Sequence, residues 1–116
     1  MIAYLKGEKG RDVDAVDLAL IQQSLALAPV SLTELVSDPA LPPTAESFVL
    51  AVPQLEVTPG FWERAGKLRR EILGHRYRAR IADTLIAQSC LDHDVPLITR
   101  DQDFKAFQKL AGLRLL

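Results

Sequence analysis

The chain has one cysteine, Cys90, in 116 residues. A single thiol closes no internal disulfide and starts no zinc cluster, so a disulfide scaffold and a Cys-rich metal fold are both excluded. Cys90 sits in a helical apolar pattern and reads as a buried, inert thiol. Histidine is nearly as scarce. His75 and His93 are the only two, no neighbouring pattern makes either a general base, and both read as solvated. No apolar run approaches the ~18 residues of a membrane span. The opening "MIAYLKGEKG" lacks the apolar core of a signal peptide. The expected compartment is the reducing cytoplasm, with no membrane partner. Excess charge is missing as well. A net charge of −1 gives the whole chain no pull on nucleic acid, so binding of that kind must rest on a local patch.

What is present is ordinary for a folded protein. Hydrophobic residues make up 48% and charged residues 25%, which argues against disorder. The length suits a single domain over 1–116. The spacing predicts short helices over 2–6, before Gly7, and over 12–28, where Val13, Val16, Leu20 and Leu27 recur and Pro29 stops the run. "PVS" is a candidate strand. Ser31 then opens a helix, with Glu34 three residues on in the capping-box pattern. Further helices are expected over 44–52, from 59 or 60 to 73, over 81–93 and near 104–110. "LEV" at 55–57, "VPLIT" at 95–99 and "LRLL" at 113–116 are the other strand candidates. Strands alternating with helices indicate an α/β fold. The expectation is a three-layer α/β/α arrangement around a mainly parallel central sheet, because right-handed crossovers lay helices on both sheet faces.

Within that frame, "PLITRDQDF" places two carboxylates, Asp101 and Asp103, at the end of an apolar strand. Asp83 opens the preceding helix. About eleven helical residues carry the chain on the order of 16 Å away, and the following strand returns a comparable distance at roughly 3.3 Å per residue. Asp83 and Asp101 are thus expected level with each other, at the carboxyl edge where open α/β sheets bind ligands. Glu34 would face the same edge if "PVS" runs parallel to 95–99. Such carboxylates repel one another, and hard divalent cations, Mg²⁺ or Mn²⁺, would neutralise them. Each acid also has a plainer role open to it. Glu34 can complete a capping box with Ser31, Asp83 can complement a helix dipole, and Asp103 can be the N-cap of the last helix.

Three segments, "SLTELVSD", "IADTLIAQSCLDHDVPLITRDQDF" and the closing "GLRLL", resemble the PIN domain, the fold of many Mg²⁺-dependent ribonucleases including VapC-type toxins. The resemblance covers nearly the whole chain, with 38–75 similar only in pattern. By position it implies that Glu34, Asp83 and Asp101 are acidic metal-site residues, that Asp103 is an auxiliary acid, and that Thr99 is a small polar residue beside the site. The family's first acid, at the end of a first strand, has no counterpart. "MIAYL" resembles the continuation of that segment, so the chain reads as N-terminally truncated relative to the family. Asp12, Asp14 and Asp17 do not match that position and read as a solvated helix face.

The implied function is endoribonucleolytic: metal-activated water hydrolyses an RNA phosphodiester bond. The implied partners are RNA, a cognate antitoxin protein and a second copy in a homodimer, formed through the helical faces near the N-terminus. Two alternatives stay open. One is a catalytically impaired module that binds RNA or a partner protein. The other is an active nuclease whose true start lies upstream. From Arg64 to Arg80 there are seven cations and the single acid Glu71, a stretch able to hold a phosphate backbone, with Arg76, Arg78 and Arg80 as the candidate RNA-binding residues. Tyr77 and Trp62 could stack on a base, although for Trp62 a place in the core is the favoured expectation.

Overall fold

The computed structural model describes Leu5 and residues 7–116. Among these, six α-helices follow one another: α1 (Arg11–Ile21), α2 (Pro29–Val36), α3 (Pro43–Ala51), α4 (Phe61–Gly74), α5 (Ile81–Asp92) and α6 (Lys105–Ala111). A 3₁₀ turn, Gln102–Phe104, leads into α6. The helix expected over 2–6 lies outside the described residues, apart from Leu5.

The expected 12–28 helix is two elements. It breaks after Ile21, where Gln23 takes a left-handed φ of 55° and the Ser24 amide reaches back to the Ala19 carbonyl at 2.8 Å. These bonds satisfy helix-end carbonyls and reverse the chain. The chain then leaves helical conformation until Ala28. Pro29 does not stop a helix but begins one, its missing N–H being no loss in a first turn. "PVS" is therefore helical, not a strand. The N-cap of α2 is Ala28, without a side-chain cap, so the Ser31–Glu34 capping box does not form.

Where a continuous parallel sheet is expected, the described residues contain two isolated parallel bridges, Leu27 with Gln54 and Leu97 with Leu115. In the first, the Leu27 amide donates to Pro53 and its carbonyl accepts from Leu55, both at 2.8 Å. In the second, Leu97 donates to Arg114 at 2.8 Å and accepts from Leu116 at 2.9 Å. No backbone hydrogen bond joins 25–28 to 95–99 among the described residues, and neither Ala26 nor Ile98 makes a backbone bond to any of them. The "LEV" strand thus shrinks to a bridge at Gln54. The two half-sheets still share a core, since Ala28 and partly buried Leu97 and Leu115 belong to one apolar cluster.

That cluster is built mainly by α4, α5 and α6 around Ile72, Ala87 and Phe107, all fully buried. A second, smaller cluster of Leu27, Leu35, Val49 and Val52 joins α2 to α3. Helix α5 is buried along Thr84 and Ile86–Cys90, which fixes its rotation and with it the direction of Asp83. Burial also pushes the Cys90 thiol up to about 11, so it stays protonated. Helix α4 is pinned to the far end of α5. Arg64 donates Nε and Nη2 to the Asp92 carboxylate at 3.0 and 2.7 Å, and Thr58 and Gln88 complete the acid's bonds. Left-handed Gly60 (φ 80°) opens α4, and a Cβ there would meet Arg64 Nη1 at 2.6 Å.

Trp62 is not in the core. Phe61 takes the buried position, and Trp62 stands 63% exposed, edge-on to it at 5.0 Å. Core and surface aromatics should accordingly respond differently to truncation. Replacing the fully buried Phe107 by Ala should cost about 3–5 kcal/mol of unfolding free energy. Trp62→Ala should stay within about 0.5 kcal/mol of the parent. Denaturant titration of the two variants checks this contrast.

Candidate metal centre

Asp83 is placed by the first turn of α5. Arg80 precedes that helix in extended conformation, and its carbonyl accepts from both the Thr84 amide, at 3.0 Å, and the Thr84 hydroxyl, at 2.8 Å. Thr84 is 2% exposed, so the start of α5 is held from inside. An acid in a first turn also suits the positive end of the helix dipole. The far end of α5 turns through Asp94, which adopts a left-handed φ of 51°. The Val95 amide bonds back to Cys90 at 2.9 Å. Arg114 clasps the turn by donating to the Asp94 carbonyl at 2.6 Å. The chain then returns through Leu97.

That return ends in a tight local structure. The Thr99 hydroxyl accepts from the Asp101 amide at 3.1 Å, and the Asp101 carboxylate accepts from the Asp103 amide at 2.9 Å. Asp101, rather than Asp103, is thus the cap of the following turn. Asp103 lies inside that turn. Carboxylate oxygens of Asp83, Asp101 and Asp103 lie within 4.8 Å of one another. Glu34 stands outside this group, on the exposed side of α2, although its charge acts on Asp83.

The electrostatics follow from this placement. Partial burial of Asp83 raises its pKa above the ordinary aspartate value; Asp101, Asp103 and Glu34 raise it further, and the nearby Arg80 opposes them. The donor set is all oxygen and all anionic. Such a set fits a hard divalent ion such as Mg²⁺ or Mn²⁺ and offers nothing to a thiophilic one.

The surrounding cations are more divided than their sequence suggests. Arg76, Arg78 and Arg80 are exposed on the connector before α5. Arg64, by contrast, is spent on Asp92, and Arg69 Nε donates to the Ala79 carbonyl at 2.8 Å, bracing the connector. The Lys109 ammonium donates to the Tyr77 hydroxyl at 3.0 Å and lies 5.6 Å from the ring centre, beyond the hydroxyl and off the ring faces. His75 and His93 each bond a backbone carbonyl, of Glu71 and Glu56. Asp12 is not on a solvated face. It is 8% exposed and holds Arg100, a contact that local spacing could not reveal because the two residues are 88 positions apart.

An acidic trio where a helix start meets the end of an extended segment is the arrangement expected of a fold that handles phosphodiesters through metal ions. The family model of the PIN domain matches residues 1–110, and the chain belongs to the PIN domain family. PIN domains are in general metal-dependent nucleases, typically with divalent ions and commonly with RNA. No curated protein matches the chain. No described helix is long and apolar enough to cross a membrane.

The raised pKa of Asp83 has a definite sign for stability. When the folded value exceeds the unfolded one, the ionised acid opposes folding at neutral pH, and that penalty lifts as pH falls through the folded value. Asp83→Asn in metal-free protein should therefore raise Tm at pH 7 by a few degrees, on the order of 2–4 °C. The gain should fade towards about pH 4 as the parent acid protonates. Thermal melts of both proteins across that range provide the check.

Proposed function

We propose that the chain is a PIN-domain endoribonuclease of the VapC toxin type. The observation that supports it most is the convergence of Asp83, Asp101 and Asp103 within 4.8 Å. In this reading Asp83 and Asp101 hold Mg²⁺ or Mn²⁺, and Asp103 completes the trio. Glu34, expected as a ligand, takes an outer place and acts through its charge. Thr99 fixes the Asp101 backbone. A bound divalent ion would supply an acidified water and a counter-charge for the phosphodiester. Arg76, Arg78 and Arg80 would hold the RNA backbone on the approach to Asp83, giving affinity without sequence choice.

The toxin reading brings two protein partners, a cognate antitoxin and a second copy of the chain. Leu18 and Ile21 on α1, 54% and 80% exposed, are the residues we assign to a homodimer contact. The second reading, a catalytically impaired module that binds RNA or a partner protein, draws on the sheet. Among the described residues, nothing pairs with the backbone of Ala26 or Ile98, one from each half-sheet. The resemblance to the family implies a first strand carrying a further acid, and no such acid joins the trio among the described residues. Metal binding without turnover would favour this second reading.

Single-stranded RNA incubated with Mn²⁺ should be cleaved by the parent chain. Cleavage should stop with EDTA and fall to background in Asp101→Asn. RNA left intact by the parent in Mn²⁺ would defeat the nuclease assignment. For the basic connector, Arg78→Ala should weaken RNA binding alike across sequences. It should also reduce the slope of log affinity against log salt by about 1, as read by fluorescence anisotropy at several salt concentrations.

A further inference from the structure

Arg100 immediately precedes Asp101, so a full positive charge sits one residue from the acidic trio. Left to itself, a guanidinium there would be drawn to three carboxylates. It is instead held elsewhere. Its Nε donates to Asp12 Oδ2 and its Nη2 to Asp12 Oδ1, both at 2.8 Å. This two-pronged pairing is the strongest geometry an Arg–carboxylate contact offers. Nη1 lies 3.4 Å from Glu8, and Nη2 lies 3.4 Å from the Lys9 carbonyl. The Asp12 side chain is 9% exposed, and its carboxyl is held below the usual aspartate value, first of all by the bond from Arg100.

The local backbone is shaped to the clamp. Gly10 adopts a φ of 153°, and a Cβ at that position would meet Asp12 Oδ1 at 2.9 Å and Arg100 Nη2 at 3.1 Å. A side chain at residue 10 would push the two groups apart. Asp101 joins the trio, while Arg100 reaches the segment before α1.

We propose that Asp12 is a positioning residue that clamps Arg100 and so keeps its guanidinium off the Asp83–Asp101–Asp103 cluster, leaving the cluster open to a divalent cation. The inference rests on the metal reading of that cluster. Released, Arg100 would act as a tethered competitor, and metal would bind only to the fraction of molecules in which the guanidinium is elsewhere. Glu8, in an exposed contact at 3.4 Å, is too weak a partner to hold it alone.

The test is Mn²⁺ titration of the full chain by calorimetry. Asp12→Asn should weaken Mn²⁺ binding about tenfold if the freed guanidinium occupies the cluster some nine-tenths of the time. Asp12→Asn/Arg100→Gln should return to the parent affinity, because the competitor is gone. Arg100→Gln alone should bind Mn²⁺ as tightly as the parent or more so. A double variant as weak as Asp12→Asn would make the clamp merely structural and overturn the proposal, as would an Asp12→Asn protein with parental affinity. If Asp12→Asn does not fold, Arg100→Gln decides, weaker binding being the contrary result.

A metal-free readout separates this from failure of the metal reading. The Arg100 Nε–H signal in the NMR spectrum should ignore Asp101→Asn in the parent and shift with it in the Asp12→Asn background. A parent that binds no Mn²⁺ would end the metal reading and leave this signal to judge the clamp. Insensitivity of the signal to Asp101→Asn in both backgrounds would overturn it.

Discussion

Three carboxylates held within 4.8 Å of one another repel, and the surrounding structure is what prevents them from parting. Asp83 cannot swing away, because α5 is buried along Thr84 and Ile86–Cys90. The Asp101 carboxylate is held to the turn by the Asp103 amide, and the Asp101 amide is bonded to Thr99. Their charges add to burial in raising the pKa of Asp83. Folding free energy from the apolar cluster around Ile72, Ala87 and Phe107 holds a site that its own charges oppose. In the metal reading, such a cluster is stabilised by a cation that binds the folded chain and not the unfolded one.

The same logic governs the cations. A cluster this acidic attracts a nearby positive group, and of Arg64, Arg69 and Arg100 only Arg100 is a sequence neighbour of a trio residue, whereas the Arg64–Asp92 pair lies at the far end of α5. Arg64 is tied to Asp92, Arg69 to the Ala79 carbonyl and Arg100 to Asp12. Arg80 acts on Asp83, and Arg76 and Arg78 are exposed on the same connector. In the nuclease reading, that division keeps the pocket open while leaving a positive approach for a phosphate backbone.

Much of the site is legible in sequence because it is made of one continuous segment. A helix of known rise followed by an extended return of known rise fixes where Asp83 and Asp101 meet, and nothing non-local enters that calculation. Gly60 and Gly74 likewise mark the two ends of α4. The departures have a common cause. A proline after an apolar run signals a terminator, yet proline serves equally at a first helical turn. That ambiguity at Pro29 makes "PVS" look like a strand and Glu34 like a helix-start residue. Asp12 looks solvated from its neighbours because its partner is 88 residues away. The sheet is over-drawn for a similar reason. Apolar triplets signal extended chain, but pairing depends on a neighbour, and among the described residues each half-sheet finds only one bridge.

The central claim is that Asp83, Asp101 and Asp103 together hold a divalent cation. Anomalous X-ray diffraction from Mn²⁺-soaked crystals tests it most directly. The account predicts one dominant anomalous peak at bonding distance, about 2.2 Å, from oxygens of at least two of these carboxylates. A map with no peak there, or with manganese bound only at other acids such as Glu34 or Asp94, would contradict it.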